Sequence, residues 1–125
     1  MSVLNSHPEV YARSLTLNLK HDYKSLLVNF LINIARNLKE KGYPLIGHIK
    51  LAVQDTTGSV FYASIADQST GPQYQGELQV FQKPVTFRLN AVLYGVKKTV
   101  MQEIIENEIN AFYPIVAENS GNRPE

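Results

Sequence analysis

The strongest structural signal lies in the stretch HDYKSLLVNFLINIARNLKEKG, residues 21–42. Its apolar residues recur at the three- and four-residue intervals of an amphipathic helix. Asp22 stands at the position of an N-cap, and Gly42 follows Lys39 and Lys41 as a C-terminal stop. The pattern therefore predicts one long helix that covers a sheet.

This helix is apolar over more of its circumference than contact with one sheet face requires. Val28 and Ile32 widen the apolar stripe sideways. A helix of this kind touches two surfaces. The second surface is either the other helix of the same domain or another subunit. Val28 and Ile32 are therefore candidate interface residues.

Strand patterns lie on either side of this helix. Residues 14–20, SLTLNLK, place leucine at every second position, and residues 46–54, IGHIKLAVQ, alternate in the same way. A period of two is typical of a half-buried strand. A turn signalled by Asp55 and Gly58 leads into VFYASIA, residues 60–66, so a hairpin is expected. Periodicity alone leaves open which face of residues 60–66 is buried.

The second half of the chain carries one more strand and one more helix. Residues 67–79, DQSTGPQYQGELQ, are expected to form a polar loop, the least ordered interior segment and a natural place for function. Residues 85–95, VTFRLNAVLYG, alternate as a long strand. Residues 97–116 have helical spacing, and Pro114 is expected to end that helix.

The predicted order is strand, helix, strand, strand, strand, helix. Two amphipathic helices supply one cover, so we expect an α+β two-layer sandwich, a mostly antiparallel sheet with both helices on one face. If the first strand, helix and second strand form a crossover, those two strands run parallel. The order resembles a ferredoxin-like plait in general outline, with an additional strand and no strand after the last helix. We expect a single domain over residues 1–125, with loose tails at about 1–10 and 117–125.

Composition narrows the chemistry. The chain has 125 residues, of which 44% are hydrophobic, enough for a sizeable core. It has no cysteine, which excludes disulfides, thiolate chemistry and Cys-type zinc sites. A net charge of +1 provides no broad attraction to nucleic acid or to an anionic membrane. No targeting segment or membrane span is apparent, and we expect a cytoplasmic protein.

The sheet face opposite the helices holds the candidate ligand-binding residues. His48 and Lys50 share the outward face of one strand, and Arg88 and Tyr94 share that of another. Three cationic or potentially cationic groups could bind a phosphate or a carboxylate, and Gly47 would allow close approach. The competing interpretation is a solvated sheet face with scattered apolar residues.

The sequence offers no catalytic constellation. It contains no Gly-rich phosphate loop and no G-x-S-x-G elbow, so no catalytic residue is assigned. Its three histidines are scattered, so no metal site and no cofactor are predicted. Glu103, Glu106 and Glu108 are expected on the solvated side of the last helix.

These observations favour an interaction protein. Tyr74 stands in the long polar loop, where it could make adaptable contacts with a partner, and is the third candidate interface residue. The predicted function is a non-catalytic interaction or assembly module, self-associating or an accessory subunit of a larger complex. Its partner is itself or another protein; nucleic acid and membrane are not expected. The alternative is an anion-binding protein or enzyme that uses His48, Lys50 and Arg88.

Overall fold

The computed structural model describes residues 7–66, 69–80 and 83–116, with side chains as far as Tyr113. Within these ranges the chain forms a sheet and two helices. In chain order the elements are β1 (Glu9–Leu17), α1 (Tyr23–Glu40), β2 (Gly47–Gln54), β3 (Val60–Ile65), β4 (Gln73–Gly76), β5 (Val85–Leu93) and α2 (Lys98–Val116).

The sheet has the strand order β1-β5-β2-β3-β4, and all neighbouring pairs are antiparallel. Because β1 and β2 both run antiparallel to β5, which lies between them, they run parallel to each other, as a crossover through α1 predicts. Helix α1 contacts β3 and α2 contacts β1, and the two helices pack together. This arrangement confirms the α+β two-layer sandwich.

The core lies between the sheet and the helices. On β2, β3 and β5 alternate side chains are buried and pack with α1 and α2 in one cluster. The question left open for residues 60–66 is resolved, because Phe61, Ala63 and Ile65 are the buried set. Tyr62 and Ser64 therefore lie on the opposite face.

Helix α1 begins and ends at the residues that the sequence predicts, but its N-terminal cap lacks one expected bond. Asp22 occupies the N-cap position without a capping hydrogen bond from its side chain. At the other end Gly42 has φ +89°, its N–H donates to the Lys39 carbonyl at 2.9 Å, and the Tyr43 N–H donates to the Leu38 carbonyl at 2.9 Å. This pair of bonds is the Schellman motif, which satisfies carbonyls that the helix leaves unpaired.

Strand β1 begins earlier than predicted. The expected loose tail is wrong at residues 9 and 10, which belong to β1 and pair with β5. The first part of β1 was not predicted because its inward positions include Glu9, Tyr11 and Arg13. No apolar alternation marks these residues as a strand. The remainder of the predicted N-terminal tail up to residue 6, and the whole predicted tail at 117–125, fall outside the described residues.

The expected polar loop contains a strand. β4 pairs with β3, although all four of its residues are exposed and no apolar pattern announces it. After β4, Leu78 is buried, and its N–H donates to the hydroxyl of Tyr23 at 3.0 Å. The second part of the predicted loop is therefore held against α1. Residues 67 and 68 lie outside the described residues.

Helix α2 continues to Val116, so the expectation that Pro114 ends it is wrong. Only two residues of α2 follow Pro114, so the backbone donor that proline lacks is missing from the last turn of the helix and not from its interior. In the part of the chain that the structure describes, neither helix has the length and apolar character needed to cross a membrane.

Candidate functional site

The sheet face turned away from the helices, here called the open face, is the most extended candidate surface. Its central aromatic residue is Tyr62, of which 49% is exposed. Strand pairing places the following outward residues on it: Val10, Ala12, Ser14, Thr16, His48, Lys50, Ala52, Gln54, Val60, Tyr62, Ser64, Gln73, Gln75, Thr86, Arg88, Asn90 and Val92. These residues are polar or small with few exceptions, so the face does not resemble a missing core contact.

Lys50 and Arg88 lie close together near the centre of the open face. Lys50 pairs with Asn90 and Arg88 pairs with Ala52, so the two cations are diagonal neighbours on β2 and β5. Diagonal positions of an antiparallel pair are roughly 7–8 Å apart. Both side chains are exposed, and within the described residues neither has a hydrogen bond or an ion pair. The pair can therefore meet a ligand without breaking an internal contact.

The other two predicted ligand-binding residues lie further out. His48 precedes Lys50 by two residues on β2 and pairs with Val92, four residues along β5 from Arg88. Tyr94 follows the end of β5, where its N–H donates to the Ile46 carbonyl at 2.9 Å. Lys50 therefore neighbours both Arg88 and His48, which are remote from each other. The four predicted residues do not meet at one point.

Gly47 allows a close approach, but by the protein itself. Its φ is +123°, and a Cβ atom at this position would overlap the backbone carbonyl of Val92 on the neighbouring strand. Glycine is therefore needed for pairing between β2 and β5 at this point. The sequence predicted close approach of either a backbone or a ligand at Gly47, and in the structure it is the backbone of β5 that approaches.

A depression of about 330 Å³ adjoins Lys50 on the β3–β4 side. Its lining includes Tyr62, Ser64, Gln73 and Gln75 as well as Lys50. The hydroxyl and amide groups can donate and accept hydrogen bonds, and the tyrosine ring offers an apolar surface. Sequence reasoning placed Ser64 on this face only as one of two alternatives for residues 60–66, and it did not select Gln73 or Gln75. Residues 73–76, QYQG, are all exposed and carry no apolar alternation that could have found the two glutamines.

Tyr74 lies on the exposed edge strand β4. It pairs with Ala63, whose side chain faces the helices, and its ring centroid is 6.0 Å from that of Phe61. Because 61% of Tyr74 is exposed, much of the ring remains accessible. Among the described residues no strand pairs with the outer side of β4. Its unpaired backbone groups therefore form a template for another strand.

The two interface candidates on α1 lie away from the contact between the helices. α1 packs against α2 through Phe30, whose ring centroid is 4.5 Å from that of Phe112. Val28 is half-buried and packs partly against the core. Ile32 borders a separate depression of about 200 Å³, which Ile65 of β3 also lines. The expected helix–helix contact therefore exists, but it uses other residues.

Glu106 on α2 is bonded to β1, so the prediction of a solvated side chain is wrong for it. Arg13 donates from Nε to Oε2 at 2.6 Å and from Nη2 to Oε1 at 3.0 Å. The hydroxyl of Tyr11 also donates to Oε2. The hydrogen bond from Arg13 lowers the pKa of Glu106, against the smaller opposing effect of partial burial. These three side chains join an edge strand to a helix.

Glu108 is likewise engaged, while Glu103 remains exposed as predicted. Glu108 Oε1 accepts a hydrogen bond from Asn33 Nδ2 at 3.0 Å, and Oε2 accepts one from Asn37 Nδ2 at 3.4 Å. Both asparagines belong to α1, so Glu108 links the two helices. Its contacts indicate a role in packing.

Asp55 is the one buried charged residue of the described chain, with 6% exposed. Its Oδ1 accepts bonds from the Thr57 N–H and hydroxyl and from the Ser59 N–H, at 2.6–3.1 Å. Its Oδ2 accepts the N–H groups of Gln79 and Val80 at 2.7 and 2.9 Å. Burial raises the pKa of Asp55, but the hydrogen bonds outweigh it and hold the pKa well below the usual range. With both oxygens occupied, Asp55 acts as a structural anchor.

In residues 7–66, 69–80 and 83–116 no group of three or more histidine, cysteine or acidic side chains is arranged to hold a metal ion. The polar groups on the open face suit reversible binding, and none of them forms a nucleophile–base pair among the hydrogen bonds of the described residues.

Comparison with known proteins adds little. No family model matches the chain, and no curated protein matches it. A solved structure of a Zn(II)-bound triple mutant of the YjiA GTPase aligns with a TM-score of 0.44 and 6% sequence identity, over 78% of this chain. The chain spans 29% of the length of that protein. A likeness at this level supports no conclusion about function.

Proposed function

We propose that this protein is a non-catalytic interaction module that self-associates or serves as an accessory subunit of a larger complex. The observation that carries this proposal is the uneven covering of the sheet. Both helices contact the same face, while the open face and the β4 edge remain accessible among the described residues. A cytoplasmic location fits a chain that has no disulfide to form.

Two tyrosines support this function. Tyr62 on the open face and Tyr74 at the β4 edge are 49% and 61% exposed. Tyrosine combines a rigid apolar ring with a polar end and is enriched at protein interfaces. The β4 residues Gln73–Gly76 carry no charge, so two copies of this edge can approach without like-charge repulsion. We assign self-association to the β4 edge and contact with other proteins to the open face.

Native mass spectrometry of the untagged protein tests this function. The expected result is a defined multimer without additional nonprotein mass, which Tyr74→Ser converts to monomer. Ile32→Asp is the matched control on α1 and should leave the multimer intact. A multimer lost with Ile32→Asp and retained with Tyr74→Ser would place the interface on α1 instead. A bare monomer at every concentration would remove self-association and leave the accessory-subunit role.

The alternative is a small-anion binding protein or enzyme that uses Lys50, Arg88 and His48. The adjacency of Lys50 and Arg88 on the open face favours it. In that case native mass spectrometry should detect a small bound anion that the double variant Lys50→Gln/Arg88→Gln loses. Loss of the added mass with unchanged circular dichroism would support this second function.

A further inference from the structure

The charged residues that the structure describes on the open face are all basic. Every described residue of the open face is neutral except Lys50 and Arg88, with His48 as the one further titratable base. The described carboxylates lie elsewhere. Asp55 and Glu77 are outside the strands, Glu9 pairs with Leu93 on the helix side, and the others belong to α1, α2 or their ends.

The fold itself does not account for this pair of cations. Neighbouring like charges in a sheet are mildly destabilising, and among the described residues of this face no carboxylate offsets them. On the other face of the sheet Arg13 does have a carboxylate partner, since it donates two hydrogen bonds to Glu106. A second copy stacked face to face about a twofold axis would bring further cations close to Lys50 and Arg88. An acidic partner complements the face, whereas a second open face does not.

The spacing of the two cations defines the shape of that partner. In an extended chain, side chains two residues apart point to the same side and lie about 6.6–6.8 Å apart. Lys50 and Arg88, as diagonal neighbours, are separated by roughly 7–8 Å. Two acidic residues separated by one other residue therefore match the pair, whereas adjacent acidic residues in the same conformation point to opposite sides.

The depression beside Lys50 continues this path. From β5 across β2 and β3 to β4 is about 14 Å, the length of four or five extended residues. A segment that begins over Arg88 and passes Lys50 reaches Ser64 and Gln73, whose polar groups can bind its backbone amides. The half-exposed ring of Tyr62 lies beside this path and can pack against the segment.

We propose that the open face binds an extended acidic segment of another protein, with two carboxylates in acid-x-acid spacing paired to Lys50 and Arg88. This inference rests on the proposed interaction function and names the chemistry of the partner. A single-stranded nucleic acid is the less favoured ligand, because its binding uses a basic groove and several aromatic side chains on which successive bases stack. The open face offers Lys50, Arg88 and one well-exposed central aromatic side chain, Tyr62.

The test uses two synthetic peptides of identical composition, titrated into the full-length 15N-labelled protein and followed by amide chemical shifts. One peptide is acetyl-Ser-Gly-Glu-Thr-Glu-Gly-Ser-amide, and the other is acetyl-Ser-Gly-Glu-Glu-Thr-Gly-Ser-amide. The first should shift amides around Lys50, Tyr62 and Arg88 and bind about threefold more tightly, because both of its carboxylates face the protein. Added salt should weaken the binding.

Variants test the two cations directly. Lys50→Gln/Arg88→Gln should weaken binding of the first peptide about tenfold, since two exposed ion pairs each contribute a few-fold. Lys39→Gln/Lys98→Gln, which removes the same charge from exposed positions on the helices, should leave it unchanged. The amide spectrum of each variant reports whether its fold is intact.

Several results would overturn the inference. These are equal affinity for the two peptides, shifts away from the open face, or an unaltered affinity in the Lys50→Gln/Arg88→Gln variant. Inorganic phosphate binding at the same amides as tightly as the first peptide would indicate a free-anion site. Tighter binding of oligothymidine would indicate a nucleic-acid surface. Failure of both peptides alongside a Tyr74-dependent multimer would reject this inference and leave the proposed function standing.

Discussion

Asp55 shows how one side chain can hold separate segments of a fold together. Its carboxylate joins the β2–β3 turn to the segment before β5, because Oδ1 binds Thr57 and Ser59 while Oδ2 binds Gln79 and Val80. An ionised carboxylate can accept all of these hydrogen bonds on its two oxygens. The charged form of the carboxylate is therefore the form that the folded state prefers.

Stability should consequently depend on the ionisation of Asp55. Its folded-state pKa is depressed, so its contribution is fully present above the unfolded pKa, roughly 3.9, and is lost as pH falls toward the folded value. Asp55→Asn should lower Tm by several degrees at neutral pH and reduce the loss of stability on acidification, measured by thermal unfolding between neutral and acidic pH. Asp22→Asn is the control, since Asp22 makes no capping bond. Equal Tm changes in the two variants would contradict this role.

Gly47 matters to the fold because it has no Cβ atom. With φ at +123° and the Val92 carbonyl directly above it, the position excludes any Cβ atom. Gly42 also has positive φ, but no atom lies within 4 Å of a Cβ placed there. An alanine at Gly42 would suffer only the strain of a positive φ, whereas an alanine at Gly47 would also overlap a neighbouring strand.

We expect Gly42→Ala to lower the free energy of unfolding by about 1–2 kcal/mol, the cost of the left-handed conformation. Gly47→Ala should cost about 1–3 kcal/mol more, because β2 and β5 must also move apart. Urea denaturation of both variants measures the difference. Equal losses would show that the strands accommodate the added methyl group without strain.

At the scale of elements, contacts between side chains distant in sequence secure β1 and α2. The carboxylate of Glu106 binds Arg13 in a two-point arrangement and also accepts from Tyr11. Glu108 accepts hydrogen bonds from Asn33 and Asn37, so two side chains within one turn of α2 reach β1 and α1. These bonds explain why Glu106 and Glu108 of α2 lie against other elements of the protein and not in solvent.

A double-mutant cycle should detect the contact between β1 and α2. For Arg13→Ala and Glu106→Ala we expect a coupling free energy of about 1 kcal/mol, because the pair is two-pointed yet partly exposed to solvent. Urea denaturation of the two single variants and the double variant provides the measurement. Additive losses would show that the pair contributes nothing beyond its separate side chains.

At the scale of the whole molecule, the core occupies one face of the sheet, and the partner binding that we propose uses the open face. The face toward the helices holds the aromatic cluster in which Phe87 lies 5.9 Å from Phe30 and 5.7 Å from Phe112, between ring centroids. The open face holds exposed side chains whose contacts within the protein are few. Substitutions on the open face should therefore leave the packing of the core intact.

The triple variant Lys50→Gln/Tyr62→Ser/Arg88→Gln should therefore change the free energy of unfolding by less than about 1 kcal/mol. Phe87→Ala, the matched change on the buried face of the same sheet, should cost about 3–5 kcal/mol. Chemical denaturation of both proteins measures the contrast. A large loss in the triple variant would show that the open face contributes to folding and would weaken its assignment as a binding surface.

Sequence reasoning predicted that Lys50 and Arg88 point outward. It did not predict which other residues of the site lie beside them or how far the site extends. Period-two alternation assigns each residue to a face, so Lys50 and Arg88 could be placed on one surface from the sequence. The register between β2 and β5 then decided that Arg88 is near Lys50 and remote from His48. Ser64 joined the candidate site through the pairing of β2 with β3, and Gln73 and Gln75 joined it through the pairing of β3 with β4.

The sequence by itself determined the α+β class, the extent of α1 and the buried faces of β2 and β5. Apolar periodicity is a local property, and backbone geometry converts it directly into a helix stripe or a strand face. Tertiary structure alone decided the burial of β3, the existence of β4 and the inward placement of Arg13. These depend on partners remote in the chain, as with Arg13 and Glu106, which are 93 residues apart. No local pattern encodes such a contact, because its energy appears only when the elements meet.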